Sequence, residues 1–89
     1  METNEARLKR MSMRSWRRGT KEMDLILGPY ADAHLAQMPD AELAIYDRLL
    51  EENDTDLLPM ILGQQATPDY LTEIIAKIGA FARVRLQRG

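Results

Sequence analysis

The sequence predicts a small all-α protein, one five-helix bundle formed by residues 1–89, and three observations carry that prediction. Apolar residues recur at three- and four-residue spacing in separate stretches, the period of a helix with one buried face. Between those stretches fall Gly, Pro and Asp/Asn/Thr clusters, where helices stop and start. No run of β-branched residues alternates with period two, so no strand is expected.

The first stretch, residues 5–16, holds neither Gly nor Pro, and Leu8, Met11 and Ser15 make a narrow stripe on it. That pattern predicts a mostly exposed helix, ended at Gly19. A second helix is predicted over residues 20–35, with Met23, Ile26, Leu27, Tyr30 and His34 on one face. Gly28-Pro29 lies inside it, and a proline there predicts a kink or a short break. Met38-Pro39-Asp40-Ala41-Glu42 opens a third helix, with proline near the first position and acids in the first turn. It carries Leu43, Tyr46, Leu49 and Leu50 inward as far as Asn53. Asp54-Thr55-Asp56 restarts the chain with capping residues, and a short helix holding Pro59 runs to Leu62 before Gly63 stops it. Thr67-Pro68-Asp69 starts the fifth, where Leu71, Ile74, Ile75, Ile78 and Phe81 form the cleanest stripe of the chain. Residues 1–4 and 83–89 read as tails.

A chain this short folds to a radius of gyration of roughly 12 Å and buries about 60–65% of its unfolded surface. Clefts for drug-sized ligands run to about 300–1,000 Å³. A dinucleotide-sized cofactor has no room inside, so function belongs on the outer surface. There are no cysteines, which excludes disulfides, thiolate metal sites and cysteine nucleophiles. His34 is the single histidine, and on an inward stripe it reads as a packing residue, since metal sites need several convergent donors. No phosphate-cradling loop and no Ser-His-Asp set occurs. No stretch approaches the ~20 apolar residues of a membrane span. The opening Met1-Glu2-Thr3-Asn4-Glu5 is too acidic for a transit peptide, so the sequence reads as a bacterial cytoplasmic protein with no membrane insertion.

Charge is segregated along the chain. Residues 1–22 hold seven basic and three acidic residues, residues 23–82 hold two basic and eleven acidic, and 83–89 add three arginines. A basic arm is thus joined to an acidic body, an asymmetry that bears on partners rather than on fold.

The most informative segment is Arg14-Ser15-Trp16-Arg17-Arg18-Gly19-Thr20-Lys21-Glu22-Met23-Asp24. A glycine admits another backbone closely, and the Arg18 guanidinium is a fork suited to carboxylates or carbonyls. Glu22 would lie one turn from Arg18 if the helix extended that far, aiming both at one partner. The plainer reading makes Gly19 a helix boundary, Glu22 a first-turn acid and the arginines solvated. Arg-Gly-x-x-Glu alone arises by chance in roughly 2% of chains this long. Its flanks add weight: Arg17 precedes it, Asp24 follows, then come Leu49-Leu50-Glu51 and Asp54-x-Asp56-Leu57.

That order resembles the succinate dehydrogenase assembly factor family, bacterial and mitochondrial, over residues 7–81. The resemblance implies a compact five-helix fold and a helper that is not an enzyme. Such a helper binds the flavoprotein subunit of succinate dehydrogenase, or of a fumarate reductase relative, and promotes covalent attachment of its FAD. It implies that Arg18, Gly19 and Glu22, with Arg10, Arg14, Trp16, Arg17 and Asp24 around them, form the partner-binding surface. Arg10 matches an upstream arginine of many members, and Met60 stands where many carry tryptophan. No FAD is expected to be held stably by this chain. Two rivals are a nucleic-acid binder using Arg7 to Arg18 and a regulatory helical partner of another enzyme. The acidic body and a sequence pI near 5.3 weigh against nucleic acid.

Overall fold

A computed structural model describes residues 2–87, with the side chains of Leu86 and Gln87 left out of account. It contains five α-helices: α1 (Asn4–Trp16), α2 (Lys21–His34), α3 (Asp40–Leu49), α4 (Asp54–Ile61) and α5 (Thr72–Gln87). Single 3₁₀ turns, Leu35–Gln37 and Asp69–Leu71, close α2 and open α5. No strand occurs among the described residues, and the all-α prediction holds. The Cα radius of gyration is 12.5 Å.

Each boundary has a local cause. Thr3 caps α1 by accepting from Ala6 N at 3.1 Å, and Thr20 caps α2 by accepting from Met23 N at 3.4 Å. Gly63, at φ +77°, ends α4 in a left-handed cap. Its N–H reaches the Met60 carbonyl at 3.2 Å, and Gln64 N reaches that of Pro59 at 2.8 Å, so two orphan carbonyls are satisfied. α2 runs unbroken through Pro29, contrary to the expected break. Proline leaves the Leu25 carbonyl without its helical donor, but Leu25 lies on an exposed part of α2. The third helix ends at Leu49, short of Asn53, because Leu50–Glu52 turn out of it. α5 continues through residues 83–87, which had read as tail. No Gly or Pro interrupts the chain from Ala80 to Arg88, so nothing local stops that helix. Thr3 and Asn4 are likewise part of the first helix and its cap. Met1, Arg88 and Gly89, also read as tail, lie outside the described residues.

The core collects the predicted stripes: Met23, Leu27 and Tyr30 from α2, Leu43, Tyr46 and Leu49 from α3, Leu57 and Ile61 from α4, and Leu71, Ile74, Ile75 and Ile78 at the start of α5 and along it. Burying a side chain of this kind contributes about 1.5–3 kcal/mol before entropy is counted. Met60, in the position where tryptophan had been noted, is also a core residue. His34 packs against Tyr30 and Phe81, with ring centroids 4.6 and 5.4 Å away. The first helix is mostly exposed, as its narrow stripe predicts, but that stripe anchors it firmly. Met11 and Ser15 are fully buried, and the Ser15 hydroxyl lies 2.7 Å from the Tyr46 hydroxyl. Because Ser15 gives its own proton to the Met11 carbonyl at 2.8 Å, Tyr46 is the donor in that pair. Burial pushes the Tyr46 phenol up to about 12.

Candidate functional site

The segment singled out in the sequence forms the end of α1, the loop after it and the first turn of α2. Its arginines are not equivalent. Arg10, Arg14 and Arg18 follow one another at four-residue spacing and point the same way. Arg10 forks onto both oxygens of Asp47 at 2.9 Å and also meets Glu2 at 2.8 and 3.1 Å. Arg14 reaches Glu51 at 2.8 Å and the Leu50 carbonyl at 3.0 Å. Arg18 pairs with Asp54 at 2.9 Å and donates to the carbonyls of Leu50 at 2.7 Å and Glu52 at 2.6 Å. The basic arm is therefore laced to the acidic body along α3 and the start of α4.

The electrostatics grade along this ladder. Arg10 holds the carboxyls of Asp47 and Glu2 below their usual range through hydrogen bonds, and they in turn raise its own affinity for its proton. Arg14 does the same to Glu51. These outer pairs are exposed to water, which screens them, so each contributes little to stability. The Arg18–Asp54 pair is different, because the two side chains are only 8% and 14% exposed. Removing one partner there strands a nearly buried charge.

This placement changes how several residues read. The guanidinium of Arg18 is spent inside the molecule rather than offered outward. Arg18 and Glu22 do not stack on one helix, because α1 ends at Trp16 and α2 begins at Lys21. Glu22 is exposed in the first turn of α2 and its side chain makes no hydrogen bond among the described residues, whereas Asp24 accepts from Arg18 N at 2.6 Å and ties the loop to α2. Asp54, which had read as a helix cap, takes Arg18 and Thr20 instead, and Asn53 occupies the cap position. Gly19 sits at φ +105°, where a side chain is strained, and a Cβ there would meet nothing within 4 Å. Its need for glycine within this chain is therefore conformational, not steric.

Arg17 is the arginine of the segment that makes no ion pair or hydrogen bond through its side chain among the described residues. Trp16 turns the other way from the ladder. Its indole lies over Gly28 of α2, where a Cβ would stand 2.6 Å from Cε3 and nearer still to two other ring carbons. Its Nε1 donates to Asp32 at 3.3 Å. Gly28 is thus a packing glycine, and the sequence reading had placed it only as part of a kink. Asp47 escaped notice, and Ser15 and Glu51 were read only within a stripe and a flanking motif, not as partners of Tyr46 and Arg14. The signal for the acids was present as four-residue spacing on both strips: 10, 14 and 18 against 47 and 51.

Surface hollows include one of 460 Å³ between α3 and α5 around Ile45, Tyr70 and Ile74, and one of 370 Å³ beside Trp16 and Phe81. Both are open to solvent. No cluster of three or more metal-ligating side chains occurs among the described residues. No described helix is long and apolar enough to cross a membrane.

Fold and site together define a small all-α protein with a strapped charged loop. The family model described as flavinator of succinate dehydrogenase matches residues 9–82, and the chain belongs to that family, the succinate dehydrogenase assembly factors. Mitochondrial succinate dehydrogenase assembly factor 2 of Schizosaccharomyces pombe is 37% identical over 68 residues, covering 76% of this chain and 49% of the relative. That of Mycosarcoma maydis is 43% identical over 56 residues, covering 63% of this chain and 24% of the relative. That of Dictyostelium discoideum is 31% identical over 68 residues, 75% of this chain and 48% of the relative. The chain thus spans between about a quarter and a half of the length of these relatives. No solved structure matches it. The expectation of a bacterial cytoplasmic protein is overturned by these comparisons, since the relatives are mitochondrial proteins of eukaryotes.

Proposed function

We propose that this chain binds the flavoprotein subunit of succinate dehydrogenase, or of a fumarate reductase relative, and promotes covalent attachment of FAD to it. The family match over residues 9–82 carries this reading. The helper is a chaperone, not an enzyme: it favours a minor conformer of the client in which flavin and acceptor side chain meet, through its greater affinity for that conformer. FAD remains the client's cofactor and is not held stably by this chain, and nucleic acid is not a partner. Arg10, Arg14, Arg18 and Asp24 shape and hold the loop, while Trp16, Arg17, Gly19 and Glu22 meet the client. The open, unpaired Glu22 beside a left-handed Gly19 supports that division.

The test is a reconstitution. FAD-free flavoprotein subunit is incubated with FAD, with and without this chain, and covalent flavin is read as fluorescence in a denaturing gel. The chain should raise covalent flavin, and Glu22→Ala should lower it about tenfold with little change in the unfolding midpoint. Equal flavin with and without the chain, together with no recovery of the subunit in a pull-down, defeats the reading.

A further inference from the structure

We propose that the groove between α3 and the start of α5 is a second contact for the client, and that it takes a basic segment carrying one aliphatic side chain. This rests on the function proposed above and adds a surface and the chemistry of its occupant.

The groove is the 460 Å³ hollow, and Ile45, Tyr70 and Ile74 make its apolar floor. Ile74 is a core residue, while Ile45 and Tyr70 are half-buried and pack against the core. Pro39 and Ala41 form the α3 edge, and their short side chains leave the space open. Tyr70 is held in position: its hydroxyl donates to Glu52 at 2.8 Å, and Arg48, outside the wall, lies over its ring at 4.0 Å. A wall fixed beforehand loses little freedom when a side chain enters. With that hydroxyl engaged, the floor offers an entering group apolar contact, which suits an aliphatic anchor.

Charge selects what surrounds the anchor. Glu42, Asp69 and Glu73 stand around the groove with Lys77 as its single cation. Acids are ordinary in the first turn of a helix, where the dipole favours them. Here two such turns, the start of α3 and the Asp69–Leu71 turn leading into α5, lie side by side around one apolar floor. Lys77 divides itself between Glu42 at 3.3 Å and Glu73 at 3.7 Å. Asp69 makes no ion pair or hydrogen bond through its side chain among the described residues. Three carboxylates against one ammonium leave an excess of two negative charges in the wall. The hollow beside Trp16 and Phe81 balances one aspartate with one arginine, and that of Arg10, Met13, Arg14 and Arg17 holds arginines alone. Of these three hollows the α3–α5 groove is the one with a net acidic wall, so a basic segment is drawn to it and an acidic one repelled.

Glu52 ties this groove to the loop of α1 and α2. Its carbonyl accepts from Arg18 at 2.6 Å, and its carboxylate accepts from Tyr70. The turn after α3 thus steadies both the loop and a wall of the groove.

The test titrates the full chain, with isotope-labelled isoleucine methyls, against the FAD-free flavoprotein subunit, and calorimetry gives Kd independently. The methyl resonances of Ile45 and Ile74 should move as the complex forms. Asp69→Lys and Glu73→Lys should each weaken the complex about tenfold, whereas Lys77→Glu, which removes the competing cation, should tighten it about threefold. Ala41→Phe, which plugs the groove from its edge, should weaken it about tenfold. All four positions are exposed, so these variants keep the fold, as circular dichroism checks. A complex that forms without moving either methyl overturns this inference and leaves the proposed function standing. Moved methyls with an unchanged Kd in Glu73→Lys and Lys77→Glu overturn the basic character of the occupant. Dimerisation of the chain alone, abolished by Glu73→Lys, gives the groove to the exposed Arg83-Val84-Arg85 of a second copy and overturns the client as its occupant. No complex at all overturns both this inference and the proposed function.

Discussion

Along one flank of α1 and the loop after it, Arg10, Arg14 and Arg18 end on acids and carbonyls of α3 and the chain leading into α4. Along the other, Trp16 is substantially exposed over α2; Arg17, which shares a hollow with Arg10, Met13 and Arg14, makes no ion pair among the described residues. Adjacent arginines in sequence, Arg17 and Arg18, thus belong to different parts of the molecule's work. Arg18 has traded water for Asp54 and two carbonyls, and its value is to stability. Arg17 is exposed and keeps its hydration and its reach. A basic run cannot be read as a binding patch until the charges already answered from within are subtracted.

The sharpest way to break this comparison is to truncate each of the pair. Arg18→Ala takes from the Asp54 carboxylate its charged partner and from the Glu52 carbonyl its side-chain donor, while the Leu50 carbonyl keeps Arg14, and should cost about 3 kcal/mol in urea unfolding. Arg17→Ala, measured alongside, should stay within about 0.5 kcal/mol of the parent. Equal, small effects would mean that the ladder is decorative and that Arg18 is available to a partner after all.

A smaller effect is expected where α1 meets α2. Gly28→Ala should gain about 1 kcal/mol from helix propensity and lose more by displacing Trp16, for a net cost of about 1–2 kcal/mol. Tryptophan emission should shift to the red as the indole leaves its seat. A stabilised variant with unchanged emission would show that the ring does not depend on this glycine.

The smallest effect lies in pH. Asp47, Glu51 and Glu2 have carboxyl pKa values lowered by their arginines. Between the lowered folded value and the ordinary one near 4, the unfolded chain binds more protons, so stability rises with pH there. The ladder's contribution is complete above about pH 5 and drains away as pH falls below 4. At the other end, Tyr46 is raised from 10.0 to about 12, so the folded state keeps the proton longer and stability falls as pH climbs through that interval. Urea midpoints across pH should show both shoulders; Asp47→Asn should flatten the acid one, and an unaltered acid shoulder would remove Asp47 from the account.

Much of the bundle was legible because helical period is local. Ile74, Ile75 and Ile78 announce a buried face by spacing alone, and Pro39, Thr20 and Gly63 mark boundaries by backbone chemistry that needs no distant partner. The site was less legible, since its meaning lies in pairs far apart in sequence. Nothing near Arg18 says that Asp54 will answer it, and nothing near Gly28 says that Trp16 will lie across it. The end of α5 went unread for the opposite reason: a helix without a stop signal simply continues. Local rules also overstated Pro29, because a lost hydrogen bond on an exposed turn does not end a helix anchored on its other side by Leu27 and Tyr30.

The contact between Ser15 and Tyr46 settles a question of alignment. A ladder of arginines one turn apart facing acids one turn apart is nearly degenerate. Sliding α1 by four residues would bring Arg14 to Asp47 and Arg18 to Glu51, with much the same pairing. Apolar packing would object, since Ser15 would take the buried place of Met11. The Tyr46 hydroxyl, moreover, would then face Gly19, which has no side chain to accept from it, and an unanswered buried hydroxyl costs about 1–3 kcal/mol. A single serine thus acts as the vernier mark of the molecule, choosing one alignment from a set that charge alone would leave ambiguous.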